Sequence, residues 1–293
     1  MDSQHRAASD SPLPGILLFC LGLAVLVGMS STAKQLARSY PVTEIIFARY
    51  AFQCLLMLAM FPGRAATFLV SRRKGMQIVR GVLMLLSSVF MFLALGLLPL
   101  ADISAISFTS PMIATILSVF VLGEHVGRRR WTAIAVGFLG MLIVVRPGSG
   151  SFGWPVLLPL GFAVSTAVYQ TVTRLVREAA DPLNALFYTA LVGAVLSALM
   201  LPFGWRTPDT ALDWAMLAGL GILGGLGHFL IILAYRRAPV SAIAPLGYSE
   251  LIWAALAGYL FFGEVPDVWT WVGAAVIAGS GLYILQRERA VRR

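Results

Sequence analysis

Apolar residues run along the chain in ten blocks, most of them about the length that crosses a bilayer, separated by charges, prolines or glycines. The blocks lie at 13–33, 43–61, 76–97, 103–122, 131–145, 153–173, 184–201, 213–234, 241–262 and 268–286. Turn-forming residues punctuate them: Pro62-Gly63, Pro99, Pro147-Gly148, Asp181-Pro182, Pro202 with Pro208, Pro239 and Pro266. No polar stretch is long enough for a soluble domain, so the pattern predicts an all-α polytopic membrane protein of ten transmembrane helices. The short fifth block extends naturally into Arg128–Arg130. The first ends in Ser31-Thr32-Ala33, which resembles a signal cleavage site, but its apolar run is longer than a signal core and only Arg6 precedes it. It is read as a helix.

Composition sharpens this picture. Of 293 residues, 59% are apolar and 12% charged, against about 45–50% and about 25% in soluble domains. With a mean hydropathy of +0.85, an ordinary soluble enzyme, a fibre and a disordered chain are all excluded. The net charge of +9, from 22 Lys and Arg against 13 Asp and Glu, would suggest a nucleic-acid partner in a soluble protein. Its distribution suggests otherwise. With the N-terminus in the cytoplasm, sixteen cations fall on the inner side (Arg6 and the groups around Arg64–Lys74, Arg128–Arg130, Arg174–Arg177, Arg236–Arg237 and Arg287–Arg293). Only Lys34, Arg38, Arg146 and Arg206 fall outside, and Arg49 and Arg80 lie within blocks. This is the positive-inside signature of an inner-membrane protein with both termini cytoplasmic. The basic excess is topological, the partner is the lipid bilayer, and no nucleic acid is implied. Cys20 and Cys54 both sit in apolar blocks and read as buried thiols, with no disulfide, metal site or cofactor expected.

Sliding the chain along itself until Pro99 lies on Pro239 also brings Gly123-Glu124 onto Gly263-Glu264 and Trp131 onto Trp271. At the same offset Phe108 meets Tyr248 and Thr109 meets Ser249, while Pro41 meets Pro182 with a slip of one residue. Each copy holds five blocks, an odd number, so the second copy is expected upside down. The charges agree: three arginines follow block four, only Glu264 and Asp267 follow block nine. The expected organisation is a tail at 1–12, five-helix repeats at 13–147 and 153–286, and a basic tail at 287–293. Inverted repeats of this kind characterise secondary transporters.

The paired stretches LLPLADISAISFTSPMIATILSVFVLGE and RRAPVSAIAPLGYSELIWAALAGYLFFGE resemble the two EamA domains of the drug/metabolite transporter superfamily. The resemblance covers roughly 13–286 and implies a ten-helix carrier with a central cavity. YPVTEIIFARY and QIVRGVLM, with Glu44, Arg49 and Arg80, are also similar to the branch that carries S-adenosylmethionine or riboflavin.

Polar groups inside the blocks are the candidate substrate site. Block four carries Ser104, Ser107, Ser110, Ala114 and Ser118 at helical spacing, and block nine Ala244, Gly247, Glu250, Ala254 and Gly258. Close helix packing alone would account for the small residues. Glu250 demands more, since a mid-helix carboxyl costs roughly 2.5–3.5 kcal/mol on insertion scales. It reads as a substrate contact, a proton carrier or half of an ion pair. Arg80 either snorkels to the interface or clamps a carboxylate or an electron-rich ring. His228 lines a cavity or packs; Tyr169 and Gln170, with Thr166 and Thr173, make block six a polar wall; Tyr248 and Trp253 are aromatic candidates. Glu44 and Arg49 form a coupling or structural pair, and Glu124 and Glu264 are structural ends of the repeat.

Gly219-Leu220-Gly221-Ile222-Leu223-Gly224 spells a dinucleotide fingerprint but lies within a span and reads as helix packing. The expected function is an alternating-access carrier of a small polar or aromatic metabolite, riboflavin or S-adenosylmethionine, with a homodimer compatible with the pattern. The alternatives are an amino-acid or drug/metabolite exporter of the same family and, from another class, an intramembrane lipid-modifying enzyme using Glu250, His228 and Arg80.

Overall fold

The computed structural model describes residues 12–71, 73–146, 153–176 and 181–291. All regular structure among them is helical: α1 (Leu13–Leu36), α2 (Val42–Met60), α3 (Lys74–Leu95), α4 (Leu100–Ser107), α5 (Ser110–Leu122), α6 (Arg128–Val145), α7 (Leu157–Leu175), α8 (Pro182–Ala198), α9 (Ala211–Arg237), α10 (Val240–Ile243), α11 (Glu250–Phe262) and α12 (Val268–Val291), with short 3-10 turns between some of them. Six spans are long and apolar enough to cross a membrane, and Pro182–Ala198 and Val268–Ile284 are shorter apolar helices. This is a multi-pass membrane protein. The Pro147-Gly148 turn, Gly150, Arg6, Arg72, Arg177, Arg292 and Arg293 lie outside the described residues.

Local sequence sets the helix starts. Asp181 caps α8 by accepting the Leu183 N–H at 2.8 Å, with Pro182 at the first helical position, where no N–H is needed. Thr210 and Asp213 close a reciprocal capping box at the start of α9.

Blocks four and nine are not continuous helices. Block four breaks between α4 and α5 at Phe108-Thr109, and Pro111 enters the first turn of α5 without an N–H to extend the helix backwards. Block nine runs through a 3-10 stretch, Ala244–Ser249, that contains Pro245. One expectation changes as a result: Glu250 opens α11 rather than lying mid-helix. The block-four stripe crosses the turn at Phe108-Thr109 with the backbone still right-handed, and Ser104, Ser110, Ala114 and Ser118 are all buried. α5 and α11 nevertheless begin and end at positions related by the repeat offset, Ser110 with Glu250 and Leu122 with Phe262. Each closes on a left-handed glycine, Gly123 at φ 68° and Gly263 at φ 67°.

The most extensive packing runs between the two halves of the chain. α1 and α2 lie on α9, α3 on α7 and α8, α2 on α8, α5 on α7, α11 on α1, and α6 on α12. Without a hydrophobic drive in lipid, such contacts depend on close backbone approach. A Cβ at Gly221 would stand 2.4 Å from Phe52 Cβ and 2.5 Å from the Gln53 nitrogen, so α9 seats directly on α2. Gly219 faces open space. That geometry explains Gly221 by packing.

Candidate functional site

Arg80, one and a half turns into α3, is 5% exposed and therefore does not snorkel. Its Nε donates to Thr173 Oγ1 at 2.9 Å, one terminal nitrogen to Gln77 Oε1 at 2.7 Å, and the other to the Tyr169 hydroxyl at 3.1 Å. The guanidinium also lies 5.2 Å from the Tyr169 ring centroid. Packing of α3 on α7 brings these groups together, and one Ser87–Thr166 hydroxyl contact at 3.2 Å continues the polar seam. All of Arg80's partners among the described residues are neutral. Gln77 Nε2 is left without a partner, and Gln170 is half-buried on the same helix as Tyr169.

Arg49 is 4% exposed. It donates to Ser88 Oγ at 2.6 Å and lies 4.7 Å from the Tyr50 ring and 5.8 Å from the Phe92 ring, and its Nε has no partner. The Tyr50 hydroxyl is 2.7 Å from the same Ser88 oxygen. The expected Glu44–Arg49 pair is not formed, because the helical twist between the two positions turns their side chains to different faces. Glu44 is fully buried, and one carboxylate oxygen accepts the Arg206 backbone N–H at 3.1 Å while the other is unpartnered. His228 Nδ1–H donates to the Gly224 carbonyl at 2.7 Å, which leaves Nε2 as the free ring nitrogen. A Cβ on Gly224 would stand 3.8 Å from Arg49 Nε, so the arginine lies against α9 one turn from His228.

The two helix breaks meet. Phe108 and Tyr248 have ring centroids 5.0 Å apart, and the Tyr248 hydroxyl rests on Gly281, where a Cβ would come within 1.5 Å of it. Around them, Ser110 Oγ, Ser249 Oγ and Trp253 Nε1 are buried without partners. Ser107 is bonded back to the Ile103 carbonyl at 2.6 Å, a local contact. Glu250 is half-buried, and its carboxyl has no hydrogen bond or ion pair among the described residues. Among the described residues no group of three His, Cys, Asp or Glu side chains is placed to hold a metal ion.

Charge pairs cluster at the two ends of the bundle. Lys34, at the C-terminal end of α1, forms a 2.6 Å ion pair with Glu264 after α11, and Arg174, at the C-terminal end of α7, approaches Glu124 after α5 at 3.9 Å. Near Glu264, Asp267 accepts from Thr270 and pairs with Arg146. Desolvation works against its charge, but these donors prevail and hold its carboxyl below the usual carboxylate range.

A model of the EamA-like transporter family matches residues 13–146 and again 153–286. The chain belongs to the EamA-like transporter family. It is 31% identical over 274 residues to an S-adenosylmethionine uptake transporter of Rickettsia bellii, covering 92% of this chain and 94% of the relative. It is 30% identical over 282 residues to a riboflavin transporter of Vibrio cholerae, covering 94% of each. It is 30% identical over 268 residues to the pseudopaline exporter CntI of Pseudomonas aeruginosa, covering 90% of this chain and 93% of the relative. One solved crystal structure superposes with a TM-score of 0.65 at 20% identity, covering 94% of this chain and 97% of that one, and so shares the fold. These relatives are small-molecule transporters, not enzymes.

Of the expected site residues, the structure joins Arg80 to Tyr169 and sets His228 near Arg49. It gives the Glu250 carboxyl no partner among the described residues, and turns Ser107 back on its own helix. Sequence reasoning passed over Gln77, Tyr50 and Ser88, which carry no charge and stand out in no pattern. Gln77 stands three residues before Arg80, a spacing that places them on one helical face. Lys34 and Arg174 were passed over as well, although they are related by the same offset as Glu124 and Glu264.

Proposed function

We propose that this chain is an inner-membrane secondary transporter working by alternating access, with S-adenosylmethionine as its substrate. In this reading ten spans form two inverted five-helix repeats with both termini cytoplasmic. Three findings support the repeat: the family model matches twice, α5 and α11 have equivalent bounds, and the packing pairs α1–α9 with α3–α7 and α1–α11 with α5–α7. The bias of Lys and Arg supports the orientation. Interrupted helices that meet near the middle of a bundle are a favourable setting for a substrate site.

One observation carries the substrate assignment. Among the described residues, Arg49 and Arg80 are buried within spans with no carboxylate beside them, and Glu250 is half-buried with no cation. Isolated charges in a membrane are costly unless a partner or water compensates them. A solute with a carboxylate, a cationic sulfonium and ammonium, and a flat heterocycle supplies partners for both signs, and Tyr248 and Trp253 offer stacking faces. Riboflavin has the flat ring but no charges to match, so the geometry favours S-adenosylmethionine. The likeness to uptake transporters of that solute supports it. For the lipid-modifying alternative, Arg80, His228 and Glu250 share no contact among the described residues and form no acid–base set.

The test is counterflow in proteoliposomes loaded with unlabelled S-adenosylmethionine. Labelled S-adenosylmethionine should accumulate transiently, and excess riboflavin should not compete. Counterflow of riboflavin alone would replace this substrate by the second. Recovery of the label in a chemically altered product would replace the carrier by the enzyme.

A further inference from the structure

The ion pairs at the two ends of the bundle have one design. The offset that carries Lys34 onto Arg174 also carries Glu124 onto Glu264. Each cation ends the first long helix of one half of the chain. Each glutamate follows the left-handed glycine of the broken helix in the other half, and its own N–H is turned back on the helix, Glu124 to the Ser118 carbonyl at 3.2 Å and Glu264 to the Gly258 carbonyl at 3.0 Å. Exchanging the halves exchanges the pairs. Only their state differs.

At the Glu264 end the pair is closed at 2.6 Å, with the two side chains 9% and 22% exposed. Further bonds hold it there: Lys34 donates to the Leu98 carbonyl at 2.5 Å, Glu264 accepts the Leu100 N–H at 3.1 Å, and Lys34 lies 5.4 Å from the Phe262 ring centroid. At the Glu124 end the pair stands at 3.9 Å with side chains 52% and 42% exposed. The neighbouring pairs there, Arg64–Asp181 and Arg236–Asp181, are both 3.8 Å long. One end is latched while the other is slack.

A structural staple would be expected to be alike at both ends. Two equivalent pairs in opposite states are what a bundle needs if its halves rock, since closing one end draws the other apart. We propose that Lys34–Glu264 and Arg174–Glu124 are alternating latches of the transport cycle, each closing one end of the bundle while the other is open. Partial burial makes the closed pair specific, and the reserve of solvated partners at the slack end keeps the difference between states small enough for a solute to tip. The inference rests on the transporter reading, but its test needs no substrate.

Spin labels at Gln35→Cys with Val265→Cys report the Glu264 end, and labels at the equivalent Leu175→Cys with His125→Cys report the other. All four positions are exposed. Both pairs are placed in the full-length chain with Cys20→Ala and Cys54→Ala, in nanodiscs. Neutralising one latch by Lys34→Gln should lengthen the major Gln35–Val265 distance and shorten the Leu175–His125 distance. Adding Arg174→Gln should reverse that shift by removing the competing latch. Glu264→Gln should reproduce the first result, and the charge exchange Lys34→Glu with Glu264→Lys should restore the parent distribution even if a single variant folds poorly. Distances that none of these changes move, or that lengthen at both ends together, would overturn the latches. Latches that respond in a protein that shows no S-adenosylmethionine counterflow would leave them standing and remove the substrate assignment. Counterflow with immobile distances would do the reverse.

Discussion

The two interrupted helices share their end points and differ in chemistry. α4 and α10 begin, and α5 and α11 restart, at positions related by the repeat offset, and both close on left-handed glycines of nearly equal φ, while the interruption itself is the turn Phe108-Thr109 in one and the 3-10 stretch Ala244–Ser249 in the other. The first restart carries Ser110 and the second Glu250. The rings at the breaks touch each other, yet Phe108 is purely apolar and Tyr248 sets a hydroxyl on Gly281. The comparison shows which features serve architecture and which are free to specialise. Turn geometry and end caps are kept in both halves because helix termination needs them. The residue that opens the second helix belongs to the proposed solute site, and there one half has taken a charge that the other lacks.

The largest effect is expected at Glu250. Losing a charged partner at a desolvated contact costs about 2–5 kcal/mol, so Glu250→Gln should weaken S-adenosylmethionine counterflow by one to several orders of magnitude at matched protein levels. If Glu250 instead carries a coupling proton, gradient-driven accumulation should vanish while exchange persists. Wild-type behaviour in both assays would remove Glu250 from the site.

The next effect concerns Tyr248 and Gly281. A methyl group at Gly281 would overlap the phenol oxygen, and overpacking of this kind costs about 1–3 kcal/mol. Gly281→Ala should lower the thermal midpoint in detergent, and combining it with Tyr248→Phe should recover part of the loss. If the double variant is no better than the single, the hydroxyl is not what Gly281 accommodates.

The glycine caps should respond alike. Each adopts a conformation that costs a side-chain-bearing residue about 1–2 kcal/mol, so Gly123→Ala and Gly263→Ala should destabilise by similar amounts in the same assay. A large inequality would show that the two closures are not equivalent.

The smallest effect is expected at Ser110. Its hydroxyl has no partner, so Ser110→Ala removes no bond and relieves an unpaired polar group. Counterflow should stay within about twofold of the parent, since changes of a few tenths of a kcal/mol are all that remain. A loss as large as that of Glu250→Gln would mean that both breaks bind the solute.

The ten apolar blocks, their charge bias and the register at which the two halves of the chain align are legible in the residues alone, because block length and charge placement are local properties that bilayer thickness reads directly. The sequence also held the glycine–glutamate closures, whose backbone demand is equally local. It did not determine that blocks four and nine are broken, since Pro111 and Pro245 sit differently in the two copies and a proline permits a break without dictating where the chain turns. Side-chain partners were decided by tertiary structure alone. Arg80 reaches Tyr169 and Thr173 across 89 and 93 residues of chain, Lys34 reaches Glu264 from the other end of the sequence, and Glu44 turns away from Arg49 despite their proximity in sequence. Which polar group meets which depends on how each helix is rotated and how closely glycines let it approach its neighbour, and those quantities exist only once the helices are packed.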